Sequence, residues 1–251
     1  MDEQMGTGNE YKKAKTMAII AVILIVLAFS CLIVPALTQY YDDFNTVLMP
    51  IILVGFFGGN IAALILIGNA YPVLLASDCM KMDERYERQE LTQILLPTRD
   101  LLAQIFLDNK FKYVKEGYYR RKKFSFLKDS VCYYVRMTED IEAENALRRE
   151  IERLDQVGKK DKNLCMLLFV YMDEVGEREK KDIKELGKGT IVMESVINPK
   201  ISLSVLVIAV DRRTDQGYYM EIGRHGRLTL YSYGCKMLRK LHLTCQMLDS
   251  A

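Results

Sequence analysis

The sequence predicts a two-helix transmembrane hairpin followed by a cytosolic α+β domain with a mixed sheet. Three observations predict it. Residues 17–37, "MAIIAVILIVLAFSCLIVPAL", and 47–76, "VLMPIILVGFFGGNIAALILIGNAYPVLLA", contain no charge. Each exceeds the roughly 20 apolar residues that cross a bilayer core. Almost all the charge lies outside these runs, mostly after residue 77, in segments that alternate between strand-like and helix-like patterns.

Residues 1–15 read as a flexible cytosolic tail and 16–76 as the hairpin, with spans over about 17–37 and 47–75. The first apolar core is too long for the usual signal-peptide h-region, and no small-x-small site follows it. Lys12, Lys13 and Lys15 precede the first span, and Lys81, Arg85 and Arg88 follow the second. The connection "TQYYDDFNT" has no base and carries Asp42 and Asp43. By the positive-inside rule both termini face the cytoplasm, and a plasma-membrane location is expected. Tyr40, Tyr41 and Phe44 suit an interfacial aromatic belt on the outer side.

Within the second run Gly55, Gly59 and Ala63 recur every four residues, giving a smooth stripe for close packing in lipid. Gly58 and Ala62 widen it. The expected neighbour is the first span, through Ala21, Ala28 and Cys31, with a second protomer as the rival. Asn60 is expected to hydrogen-bond across that contact, because an unpartnered amide in hydrocarbon is costly.

Residues 77–97 read as a juxtamembrane helix ended by Pro97, since a residue before proline avoids helical backbone. The cytosolic domain then occupies 98–251. "TRDLLAQIFLDN" is a short helix with Leu101, Leu102, Ile105 and Phe106 on one face. "KFKYVKEGYYRRKKFSF" and "SVCYYVRM" are aromatic and β-branched, hence strands. "TEDIEAENALRREIERLDQ" is a helix with Thr138 as N-cap and its acids ahead of its arginines. "NLCMLLFVYM" is apolar throughout, as a strand buried on both faces is. "GEREKKDIKELGKG" is a charged helix. "TIVMESV", "ISLSVLVIAV", "GYYMEIG" and "RLTLYSYG" read as strands, the last two joined in a hairpin around "RHG", and "CKMLRKLHLTCQML" closes the chain as an amphipathic helix.

Three constellations carry candidate chemistry. Between residues 110 and 128 eight bases face one acid, Glu116, with six aromatics interleaved. Lys112, Lys115, Arg120, Arg121, Lys122 and Lys123 are the candidate anion-binding set. Their anion is lipid headgroup for a domain tethered under the inner leaflet, or single-stranded nucleic acid held by phosphate contacts and stacking. A solvated strand face explains the same pattern. Asp173 and Asp211 end two predicted strands and Glu221 lies in the next. If the first two strands are parallel neighbours, these acids could hold Mg²⁺ as in a metal-dependent phosphodiesterase or nuclease. Turn and cap positions after strands favour the same residues. A nuclease-like core also wants a lysine two residues after the glutamate, where this chain has Gly223. Arg224, His225 and Arg227 in "GRHGR" could cradle a phosphate, although a tight turn explains the glycines.

The chain lacks G-x-S-x-G, G-x-x-x-x-G-K-[ST], G-x-G-x-x-G and H-E-x-x-H motifs, and holds only two histidines and no C-x-x-C pair. This inventory points to no metal or other cofactor, Mg²⁺ entering only with the enzyme reading. The leading expectation is a non-enzymatic, membrane-anchored interaction or regulatory module whose partners are membrane lipids and a protein or a second copy of itself. The alternatives are the tethered phosphodiesterase and an oligomeric two-span effector or channel gated by its cytosolic domain.

Overall fold

The computed structural model describes residues 2–31, 33, 42–124, 130–157, 161–197, 202–222 and 229–249. The chain divides into two compact units, Met1–Lys81 and Met82–Ala251.

The first unit is built from α1, Asp2–Cys31, and the greater part of α2, Asp42–Glu87. At about 1.5 Å per residue the 46-residue α2 is roughly 69 Å long, more than twice a hydrocarbon core. The two helices run antiparallel. Phe29 meets Phe56 edge-on at 5.5 Å, and Lys81 Nζ lies 4.2 Å from the centre of the Tyr11 ring. Their seam repeats every seven residues. Ala14, Ala21 and Ala28 are buried on α1, and Ile52, Ala63 and Ala70 on α2. Partly buried Phe56, Gly59 and Leu66 complete a three-four spacing on α2.

Gly59 sits on this seam because a Cβ there would lie 3.3 Å from the Ala28 Cβ. Gly55 does not: it is exposed, and a Cβ there would meet nothing within 4 Å. The expected every-fourth-residue stripe is therefore replaced by a heptad pattern, which turns Gly55 and Gly58 outward. Nor does Asn60 bond across the contact. Its amide donates to the Phe56 carbonyl one turn earlier, at 2.8 Å, which satisfies the donor within its own helix.

The second unit is a seven-stranded mixed sheet. Its strands are β1 Thr92–Leu95, β2 Lys112–Tyr113, β3 Tyr118–Phe124, β4 Ser130–Glu139, β5 Leu164–Met172, β6 Leu203–Asp211 and β7 Gln216–Tyr219, in the order β1-β7-β6-β5-β4-β3-β2. β4, β5 and β6 are parallel neighbours, and antiparallel strands flank them on both sides. The crossover helices α4, Ala143–Val157, and α5, Glu177–Val192, cover one face with Cys132, Tyr134, Met166, Leu168 and Val207. Helices α3, Arg99–Asp108, and α6, Leu230–Asp249, cover the other with Tyr133, Val135, Leu167, Phe169 and Ile208. Burial on both faces is why β5 reads as one apolar run.

Four local expectations are corrected. Helix α2 ends at Glu87, so 88–97 is not helical throughout; Thr92–Leu95 forms an edge strand on β7 with Ile94 buried in the core. "TIVMESV" is not a strand. It prolongs α5 and passes into a π-helical turn, Met193–Ile197. Its β-branched residues are overruled by packing, with Ile191 fully buried and Gly187 bare so that Met220 and the Tyr231 hydroxyl can approach. "RLTLYSYG" is helical from Leu230 onward. Thr229 caps it by accepting the Ser232 N–H at 3.2 Å, and buried Glu194 accepts the Tyr231 N–H at 3.1 Å. Thr138, expected as an N-cap, instead lies within β4.

Candidate functional site

Because β4, β5 and β6 are parallel and in register, their carboxyl ends stop together: Glu139 beside Tyr171, and Met172 beside Asp211. The loops that follow enclose an open cleft of about 480 Å³, lined chiefly by Glu139, Asp140, Tyr171, Asp173, Glu174 and Arg212. Clefts at this end of a parallel sheet are the usual ligand position in α/β proteins.

The acids of this cleft are already engaged. Arg212 lies 2.7 Å from Glu139 and 3.4 Å from Asp173. Arg99 reaches Glu139 at 2.9 Å, Arg149 reaches Asp140 at 2.9 Å and Arg213 reaches Glu174 at 2.6 Å. The hydrogen bond from Arg212 holds the Glu139 carboxyl below its ordinary range and raises the guanidinium in turn. Asp211 has a different task. Its carboxylate accepts the backbone N–H of Val175 at 3.1 Å, of Arg213 at 2.8 Å and of Thr214 at 3.2 Å. Burial pushes its carboxyl up, but these donors outweigh that and leave it lowered. Asp211 thus ties the β5–α5 loop to the turn after β6.

The strands carrying Asp173 and Asp211 are parallel neighbours, and both acids stand at the same end of the sheet. Glu221 is not with them. β7 runs antiparallel to β6 from the Gln216–Asp211 pair, so Glu221, five residues on, lies roughly 16 Å away toward the opposite end. There it accepts the Thr92 hydroxyl at 3.1 Å and pairs with Arg239 at 3.1 Å. Asp173 is 90% exposed. Among the described residues no group of three or more histidine, cysteine, aspartate or glutamate side chains is disposed to hold a metal. The "GRHGR" candidates, Arg224, His225 and Arg227, lie outside the described residues.

The basic segment forms the β2–β3 hairpin at the sheet edge, paired with β4. Alternation divides it between faces: Lys112, Arg120 and Lys122 to one side, Arg121 and Lys123 to the other. Two of the six candidates are committed internally. Arg120 grips Asp161 with both arms, at 2.8 and 2.7 Å, and the Tyr134 hydroxyl donates to the same carboxylate at 2.6 Å. The Arg120 bonds hold Asp161 down to about 2. Arg121 donates to the Asn109 carbonyl at 2.7 Å and lies over the Phe111 ring. Lys112, Lys122 and Lys123 are exposed, and exposed Lys115 is 3.7 Å from Glu116.

The sequence reading missed a buried network beside this hairpin. Glu150 of α4 is fully buried, accepts the Tyr118 hydroxyl at 2.6 Å and is ringed by Arg153 at 3.1 Å, Arg136 at 3.4 Å and Arg149 at 3.5 Å. Burial, then Glu150, raises the Tyr118 phenol above its ordinary value. The signal was present: Glu150 falls on the apolar face of α4, in helical phase with Ala143, Ala146 and Leu154. A charge at a core position implies partners.

No protein-family model matches this chain, and comparison with curated proteins and with solved structures finds no match.

Proposed function

We propose that this protein is a membrane-anchored module: α1 and α2 span the membrane as a hairpin and hold the α+β unit at the cytoplasmic leaflet, where it binds lipid and a partner rather than performing chemistry. One observation carries the reading. The two candidate spans leave Ile19, Val22, Ile23, Val26, Leu64 and Ile65 exposed, and only 17% and 11% of their most apolar windows is buried. A soluble protein covers such surface with its own core; a lipid solvent would cover it here. The lysines and arginines flanking both runs, against the acidic connection, favour cytoplasmic termini.

The engaged acids of the cleft support a binding module over a metal-dependent enzyme, because Asp211 spends its oxygens on three backbone donors and Glu221 stands apart. Two measurements test the anchor. The chain should stay with membranes through alkaline carbonate extraction. Asn45→Cys should react from outside intact cells with an impermeant thiol reagent, and Glu10→Cys should not. Release by carbonate, or the reverse labelling, removes the proposal.

A further inference from the structure

The tip of the β2–β3 hairpin has a composition that neither the fold nor the core requires. Tyr113 is 58% exposed and Val114 41%, and Leu107 at the end of α3 is 45% exposed. Lys110, Lys112 and Lys115 flank them in sequence and are exposed, Lys112 on the face of the strand opposite Tyr113. The nearby acids are Asp108, which accepts the Gln104 amide, and Glu116, which faces Lys115.

The tip is a built structure. Val114 N–H donates to the Tyr118 carbonyl at 2.9 Å, Tyr118 N–H to the Lys115 carbonyl at 3.1 Å, and Gly117 N–H to the Tyr113 hydroxyl at 3.2 Å. Glu116 and Gly117 both adopt positive φ, 55° and 80°. The positive φ of Gly117 is what favours glycine there, and a side chain would also push the Arg136 guanidinium aside. Tyr113 is braced edge-on by Tyr119 at 5.7 Å, and Tyr119 rests on Phe106 at 5.4 Å. The fold therefore presents two apolar side chains outward on a short, hydrogen-bonded turn.

We infer that this tip is an interfacial wedge for an anionic bilayer surface, with Tyr113 and Val114 entering the headgroup boundary and Lys110, Lys112 and Lys115 contacting lipid phosphates. Tyrosine suits that depth, since its ring is apolar and its hydroxyl wet. Lysine suits it too, because its long stem lies along apolar surface while the ammonium reaches the headgroups. A protein partner fits less well, as lysine is depleted at protein interfaces. Single-stranded nucleic acid wants a run of open aromatic faces, whereas among the described residues of the tip the one exposed ring is braced by its neighbour. The inference rests on the anchor reading for its proximity to a membrane.

The chain contains no tryptophan, so Tyr113→Trp introduces a single reporter. The full-length variant is reconstituted in phosphatidylcholine vesicles with and without phosphatidylserine, some carrying brominated acyl chains. In the anionic vesicles the indole emission should shift to the blue and be quenched by bromine; in phosphatidylcholine alone it should remain solvent-like. Adding Lys112→Gln and Lys115→Gln should lower the inserted-to-free ratio about 30-fold, about fivefold for each lysine removed. Val114→Trp provides the same reading one position on, should the first variant misfold. A solvent-like, unquenched indole in anionic vesicles overturns the wedge, as does a shift produced by a single-stranded oligonucleotide and not by lipid. Carbonate extraction of the same vesicles reads the spans separately: retention of the chain with an unquenched indole sinks the wedge alone, and extraction sinks the anchor.

Discussion

Asp161 offers a quantitative test of how the basic edge is held together. Its carboxylate takes both arms of Arg120 and the Tyr134 hydroxyl, and its side chain is 10% exposed. Asp161→Asn keeps the shape and removes the charge. The carboxyl is held at about 2, against an ordinary 3.8. At about 1.4 kcal/mol per pKa unit the difference stabilises the fold by about 2 kcal/mol at neutral pH. Arg120 lies partly in solvent, which screens the pair and reduces the expected loss to between about 1 and 2 kcal/mol. The sign follows from the direction of the shift. The folded value is below the unfolded one, so the stabilisation is present above pH 3.8 and fades as pH falls toward 2. About half should remain at pH 3. Urea unfolding of the full chain in detergent micelles, followed by tyrosine fluorescence, measures the gap between parent and variant at pH 7 and pH 3. A gap that is absent at pH 7, or unchanged at pH 3, refutes the assignment. The same substitution frees the Arg120 guanidinium, so binding to anionic vesicles should strengthen while stability falls.

Gly59→Leu should weaken the α1–α2 pair, lowering the thermal midpoint and protein level, whereas Gly55→Leu should change neither; equal effects would place the seam elsewhere. Asp211→Ala should cost about 1–3 kcal/mol by stranding three backbone donors, and Asp173→Ala should cost under about 0.5 kcal/mol; denaturant midpoints decide, and equal losses would undo the assignment of Asp211 as a loop tie. Lys188, mostly buried, meets Glu87 at 2.8 Å, Glu185 at 3.0 Å and Asp83 at 3.2 Å. These bonds, Glu87 foremost, raise its ammonium above the ordinary value, so its contribution is complete below that value and disappears only as pH climbs through the raised one. Lys188→Met should therefore destabilise the α+β unit by about the same amount at pH 6 and pH 9, as unfolding midpoints at the two values will read.

The elements legible in the sequence were those whose neighbours impose one pattern along their whole length. β5 is central and parallel, so every residue from Cys165 to Val170 is buried and the run reads apolar throughout. The two long apolar helices were legible for a simpler reason, since length and composition alone mark them. The misread segments are those where a distant residue decides. "TIVMESV" has strand-like local chemistry, yet its helix is extended because Ile191 and Glu194 meet the core and the start of α6. "RLTLYSYG" fails likewise, because Thr229 and Glu194 together supply the cap that a strand reading ignores. The edge strand β1 is too short for any period to show, and its pairing with β7 joins residues more than a hundred positions apart.

The candidate sites divide along the same line. Sequence spacing located the acids at strand ends but could not say what their oxygens face; three backbone donors around Asp211 are a property of two loops meeting. It located the basic hairpin but counted charges that the fold cancels. Asp161 and the Asn109 carbonyl remove Arg120 and Arg121 from any external anion, and both partners come from loops outside the strands. Exposed Lys112 and Lys115 stay beside a ring and a valine that the core does not use. A basic edge of six lysines and two arginines, read as a candidate anion-binding face, thus has its two arginines turned to internal partners and leaves exposed lysines beside a small apolar tip. The strength of anionic-vesicle binding should accordingly follow Tyr113, Lys112 and Lys115, and be diminished little by Arg121→Gln, whose guanidinium already serves a carbonyl.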